Sequence, residues 1–126
     1  MAKRKFSYSA YKLINRSELL SLLPPKYSMV NAEHITYRYP WIDEVLPEVE
    51  YAKIVEYCDD GEIEAYVVNM KFKEMHPTIY RRDGYKYHIT WSLNPDRRKP
   101  FDSNKITSLA TPIDIIAPLE VMPKFY

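Results

Sequence analysis

Apolar and polar residues alternate with a period of two along much of this chain, the pattern of strands that keep one face in a core and one in solvent. Residues 5–13 alternate and are aromatic, which predicts a first strand. Asn15 with Glu18 three positions on has the spacing of a helix cap and its box partner. A short helix over 16–23 should follow and end at Pro24-Pro25. Residues 33–39 read as a second strand closed by Pro40, and 41–48 as loop. Strands over 49–58 and 62–70 flank Asp59-Asp60-Gly61, a hairpin turn. Residues 71–83 form a charged connection with room for a helical turn. Gly84 then opens another strand over 85–93. A Pro- and Arg-rich loop spans 94–105, and 113–121 suits a last strand bent at Pro118.

These elements predict an α+β fold of mainly antiparallel strands, compact and two-lobed, with one short outer helix. Strand, helix and strand over 5–39 are echoed by strand, connection and strand over 62–93, a weak internal duplication. Two such lobes would leave a central cleft at their seam. The length of 126 residues implies one domain, 1–126, and 46% hydrophobic residues are enough for a real core. The net charge of +1 exerts no global pull toward long nucleic acid, so a small anionic ligand or an RNA end fits better than a duplex. A single cysteine, Cys58, excludes an internal disulfide and suits a reducing compartment. It reads as a strand-filling residue. No apolar run approaches membrane-spanning length, and the basic start lacks the apolar stretch of a signal peptide, so the expected location is cytoplasmic.

The candidate chemistry lies in the histidines. All three occur as H-x-T: His34-Ile35-Thr36, His76-Pro77-Thr78 and His88-Ile89-Thr90. In a strand, residues i and i+2 share a face, so each string presents an imidazole beside a hydroxyl. Pro77 takes the second string out of a central strand, and His76 is expected in loop or edge with no catalytic part. His34 with Thr36 and His88 with Thr90 would face each other across the cleft. Two imidazoles supply a general base and a general acid, and two hydroxyls donate to the non-bridging oxygens of a phosphodiester. No metal or other cofactor is needed, and Cys/His clusters are absent; a zinc ion on His34 and His88 is the minor alternative. Arg38 and Ser92 continue the two same-face series and are candidates for substrate binding. Arg98 and Lys99, beside Arg97, form a basic loop for a second phosphate. Tyr11 and Tyr8 are candidates for stacking on a base, whereas Tyr37, Tyr87 and Trp91 lie opposite the histidines and belong to the core.

The two H-x-T strings resemble the signature of the two-histidine (2H) phosphoesterase superfamily. The run from Gly84 to Leu93, with Arg98-Lys99-Pro100 and Asp102-Ser103-Asn104 after it, is most similar to its "Swiss Army Knife" RNA-repair-like branch of phages and bacteria. The resemblance extends over most of the chain, from about Tyr8 to about Val121, although the second lobe's helix is nearly lost. It implies a 2H phosphoesterase-like fold and a metal-independent phosphodiesterase. The substrate it implies is a nucleotide or RNA 3′ end of the 2′,3′-cyclic phosphate type, and the location the host cytoplasm if the chain is phage-encoded. A phage-type hydrolase of cyclic di- or oligonucleotide immune signals is a second enzymatic expectation. A non-catalytic protein that binds a nucleotide or RNA end is a third reading. A structural protein with a Tyr-rich surface for a partner is a fourth.

Overall fold

A ladder of eleven- and ten-residue strands, β4 (Val49–Asp59) and β5 (Ile63–Phe72), dominates the computed structural model, which describes residues 5–114 and 117–126. Its turn is built from side chains. Asp60 accepts from the N–H groups of Glu62 (2.9 Å) and Ile63 (3.0 Å), Asp59 from that of Gly61 (2.8 Å), and Gly61 takes φ +95°. β5 is central and almost wholly buried, which its run of Ile63, Ala65, Val67, Val68 and Met70 allows. Beside it lies β6 (His88–Leu93), then the two-residue β2 (Met29–Val30); beyond β4 lies β7 (Thr111–Pro112). This five-stranded sheet is antiparallel throughout. A second antiparallel sheet has the order β3 (His34–Arg38), β1 (Ser9–Leu13), β8 (Val121–Phe125). With helix α1 (Arg16–Leu22) and a one-turn helix α2 (Ser103–Ile106), the fold is α+β.

The sheets meet where one chain segment leaves the first and enters the second. After β2, the N–H groups of Asn31 and Ala32 still bond the carbonyls of Trp91 (2.9 Å) and Thr90 (2.8 Å) on β6. Ala32 then adopts φ +47°, a left-handed conformation that costs a non-glycine residue on the order of 1–2 kcal/mol. The chain turns out of the five-stranded sheet and continues as β3 against β1. Arg16 of α1 holds this bend, donating from Nε and Nη2 to the Asn31 and Ala32 carbonyls at 3.1–3.3 Å. Ile35 on β3 and Ile89 and Trp91 on β6 enter one shared core with Tyr11, Tyr66, Val68, Met70 and Phe72. A smaller core of Cys58, Ile63, Ala65 and Leu93 is covered by Ile106 of α2.

Several elements depart from the sequence pattern. Asn15 does not cap α1. Its Nδ2 donates to the Pro118 carbonyl (3.1 Å) and its Oδ1 accepts from Glu120 N–H (3.0 Å), so tertiary bonds to the C-terminal segment displace the local one. The stretch 94–105 holds the start of α2, so there are two short helices among the described residues. A 3-10 turn over Pro100–Asp102 leads into α2, with Pro100 at its start and the Asp102 carboxylate accepting from Lys99 N–H (2.8 Å). Residues 71–83 contain no helix; Met70 and Thr78 exchange backbone bonds there instead. The last strand falls at Val121–Phe125, because β1 offers an open edge, where Pro123 is tolerated. Residues 115–116 of the expected strand lie outside the described residues, and Pro118 makes a single bridge to Lys53. No helix is long and apolar enough to cross a membrane among the described residues.

Removal of the Arg16 guanidinium strands the two carbonyls at the bend. Arg16→Ala is expected to lower stability by about 1–3 kcal/mol, read from urea unfolding midpoints. An unchanged midpoint would mean that the bend holds without its clamp.

Candidate functional site

Because β3 and β6 lie side by side, their inner faces share a core and their outer faces share a cavity of about 700 Å³. His34 and Thr36 line it from β3, His88 and Thr90 from β6. The i, i+2 parity of each strand puts hydroxyl beside imidazole, and Ile35, Tyr87, Ile89 and Trp91 take the opposite side. The remaining wall comes from the crossover (Asn31, Glu33), from Tyr8 and Tyr39 at the ends of the small sheet, from the turn before β6 (Arg81, Asp83, Tyr85), and from Pro100, Phe101, Ser103 and Asn104 at α2.

His88 is only 8% exposed. Its Nδ1 lies 2.7 Å from the Lys86 carbonyl, which can only accept, so Nδ1 carries the proton in the neutral ring. Nε2 then holds a lone pair, 3.0 Å from Ser103 Oγ. Ser103 Oγ is also 2.6 Å from Thr90 Oγ1 and 2.8 Å from the Pro100 carbonyl, which joins imidazole and threonine through one hydroxyl. Burial pushes the His88 pKa down to about 4. The Arg81 and His34 charges add to the depression, and the bond to Lys86 and the Asp83 charge oppose it. His34 is half-buried between two tyrosine rings, with centroids 5.4 Å away for Tyr8 and 4.8 Å for Tyr126. Burial also holds its pKa below the usual 6.5, with Glu33 pulling upward and Lys124 downward. His34 Nδ1 and Asn31 Oδ1 are buried and bond no other group among the described residues.

The structure brings His34, Thr36, His88, Thr90 and Tyr8 together and puts the other expected binding residues elsewhere. Tyr11 is in the core, its hydroxyl donating to the Pro47 carbonyl (2.5 Å). Arg38 does not keep the face of His34 and Thr36: a bulge in β3 sets Thr36 opposite Ala10 but Arg38 opposite Ser9, and Arg38 is paired with Glu44 of the following loop. Ser92 is buried, donating to Glu64 and accepting from Tyr27 N–H (2.9 Å); it fastens the segment before β2. Arg98 is drawn to Asp60 and Glu62 of the β4–β5 turn, with Arg97 also on Glu62, and Lys99 is exposed. His76 is exposed and does not line the cavity. Cys58 is buried in β4, and burial pushes its thiol up to about 12, out of the range of a nucleophile.

Sequence reasoning missed Ser103, Asn31 and Arg81. For Arg81 a signal existed. Asp83-Gly84 marks a tight turn, and pairing across it sets Arg81 opposite Tyr85, just ahead of the motif strand. Ser103 lies in the Asp102-Ser103-Asn104 run that carries part of the resemblance, but nothing local gave it a role; no local signal marks Asn31, which a contact distant in sequence brings to the cavity. Among the described residues, no three His, Cys, Asp or Glu side chains gather as a metal site. Comparisons with protein-family models, with curated proteins and with solved structures gave no match.

A histidine buried as the neutral ring makes folding sensitive to acid. The His88 pKa is lowered on folding, so its share of stability is complete above pH 6.5 and is lost as pH falls toward about 4. That share is on the order of 3 kcal/mol. Urea midpoints measured from pH 7.5 down to 4.5 should therefore fall less steeply in His88→Asn than in the wild type. Parallel slopes would show that His88 does not resist protonation in the fold.

Proposed function

We propose that this chain is a metal-independent phosphodiesterase of the 2H phosphoesterase type, acting on a nucleotide or RNA end that carries a 2′,3′-cyclic phosphate. The observation that carries the reading is the convergence of both H-x-T pairs on one cavity. Its volume is in the range of small-molecule sites, and Tyr8, Tyr39, Tyr85 and Phe101 in its wall supply flat faces for a base.

In this reading His88 is the general base. Its Nδ1–H is tied to the Lys86 carbonyl, and its unprotonated Nε2, beside Ser103 Oγ, takes a proton at neutral pH. It takes a proton from the attacking water as the oxygen approaches phosphorus. His34 is the general acid and gives its proton to the ribose oxygen that leaves. In the unliganded site burial and Lys124 hold its pKa down against the Glu33 charge. Thr36 and Thr90 donate to the non-bridging oxygens, where charge grows in the transition state. The bound phosphate anion itself raises the pKa of both imidazoles.

The test is incubation with cyclic-phosphate RNA ends, nucleoside 2′,3′-cyclic phosphates and cyclic oligonucleotides, chelator present, with products identified by mass spectrometry. Turnover should survive chelation. His34→Ala or His88→Ala should each reduce it by about 10²–10⁴-fold, with the double variant little worse. Thr36→Ala and Thr90→Ala should cost less, because water replaces part of a lost hydroxyl, and His76→Ala should keep near-normal turnover. Binding without turnover at any pH would leave a nucleotide-binding protein, and zinc-restored activity would overturn the acid–base assignment.

The pH profile of kcat/KM, which reports the free enzyme, should be a bell on the acid side of neutrality. The base is lost below about 4 and the acid is lost as pH rises through a value below 6.5. A plateau extending above pH 8 would contradict these roles.

A further inference from the structure

The cavity wall contains one Lys or Arg side chain among the described residues, and it is Arg81. Arg81 is 8% exposed, a burial that a charged residue tolerates only when paired. Its partners hold it in a fixed pose. Nε and Nη2 donate to the two Asp83 oxygens at 3.1 and 2.8 Å, Nη2 lies 3.5 Å from Asn104 Oδ1, and the guanidinium carbon sits 5.7 Å from the centre of the Tyr85 ring. The turn beneath it is closed by Arg81 N–H on the Tyr85 carbonyl (2.8 Å) and Gly84 N–H on the Arg81 carbonyl (3.1 Å). Nη1 makes no hydrogen bond among the described residues, so two donors of a pre-oriented cation are unspent in the wall that also holds both histidines.

Resting on the phosphodiesterase reading, we infer that Arg81 is the phosphate-binding cation of this cavity, presenting Nη1 to a non-bridging oxygen and selecting a singly charged diester over a doubly charged monoester. The balance of charge supports the selectivity. Asp83 neutralises Arg81, Glu33 adds a further carboxylate to the wall, and both imidazoles are held neutral. One negative charge on the ligand is met by the Arg81 donors and the threonine hydroxyls. A second finds no further Lys or Arg in the wall among the described residues and faces the Glu33 carboxylate. The Nε–Nη2 edge of the guanidinium is taken by Asp83, which fixes the direction of Nη1 in a way that a lysine, with a single ammonium, does not reproduce. Arg81 also acts on His88, since its positive charge is the largest of the charges that hold that imidazole neutral. His34 pushes the same way from β3, and Asp83 pushes the opposite way.

The experiment measures calorimetric binding of thymidylyl-thymidine (dTpdT), whose phosphorus has no 2′-hydroxyl beside it, and of thymidine 5′-monophosphate. The proteins are wild type, Arg81→Gln, Arg81→Lys and, to remove the orphaned carboxylate should Arg81→Gln fold poorly, Arg81→Gln with Asp83→Asn. The His88 Cε1–H resonance is titrated in the same proteins. Wild type should prefer the diester. Loss of Arg81 should weaken diester binding by about 10- to 100-fold, with Arg81→Lys in between. The His88 midpoint should rise in Arg81→Gln and stay near that of wild type in Arg81→Lys, a pattern that loss of packing alone does not produce. Unchanged diester affinity in Arg81→Gln, or tighter binding of the monophosphate by wild type, would overturn the inference. The outcomes separate from those of the parent reading. Arg81-dependent binding with no turnover of any cyclic substrate defeats only the phosphodiesterase, and turnover with Arg81-independent binding defeats only the role of Arg81.

Discussion

Two backbone hydrogen bonds, from the N–H groups of Asn31 and Ala32 to the carbonyls of Trp91 and Thr90, determine how the rest of this molecule is arranged. They keep one chain segment on β6 as far as Ala32, whose left-handed bend then sends it into the other sheet as β3. Without that crossing, the two H-x-T strands would belong to separate sheets with no fixed relation. With it, both strands turn the same kind of face to the same side. Arg16 matters for this reason: a helix residue with no place in the cavity clamps the carbonyls on which the mutual position of His34 and His88 depends.

The second consequence is electrical. Burial that brings the imidazoles together also keeps them neutral. An empty site with two uncharged rings, a paired arginine and two carboxylates has little attraction for anions at long range, which agrees with the chain's net charge of +1. In the phosphodiesterase reading, attraction would arise only at contact, where donors are already oriented, and an arriving phosphate would change the protonation of the rings beside it. Ser103 fits that cycle. As a hydroxyl it can donate to Nε2 of the neutral ring, or accept from the protonated ring and donate to the Pro100 carbonyl, so His88 keeps a partner in either state.

Features that depend on the local period were legible in the sequence. Strand parity set His34 with Thr36 and His88 with Thr90, assigned Tyr87 and Trp91 to the core, and the Asp59-Asp60-Gly61 turn fixed the long hairpin. Features decided by a distant partner were not. Arg38 and Arg98 carry the same charge as Arg81, but a bulge in β3 and Glu44 take the first, and Asp60 and Glu62 the second, away from the site. Asn15 has a capping side chain that the C-terminal segment occupies. α2 is too short for a periodic signal, and it is held by Asp102 at its start and by Ile106 over Cys58, Ile63 and Leu93.

The central claim is that two imidazoles address one phosphate. Titration of the wild-type protein with dTpdT, followed through the Cε1–H signals of its three histidines, tests this most directly. The account predicts that His34 and His88 shift along one isotherm that saturates at a single equivalent, while exposed His76 stays still. Shifts of only one of the two rings, or two separate isotherms, would contradict it.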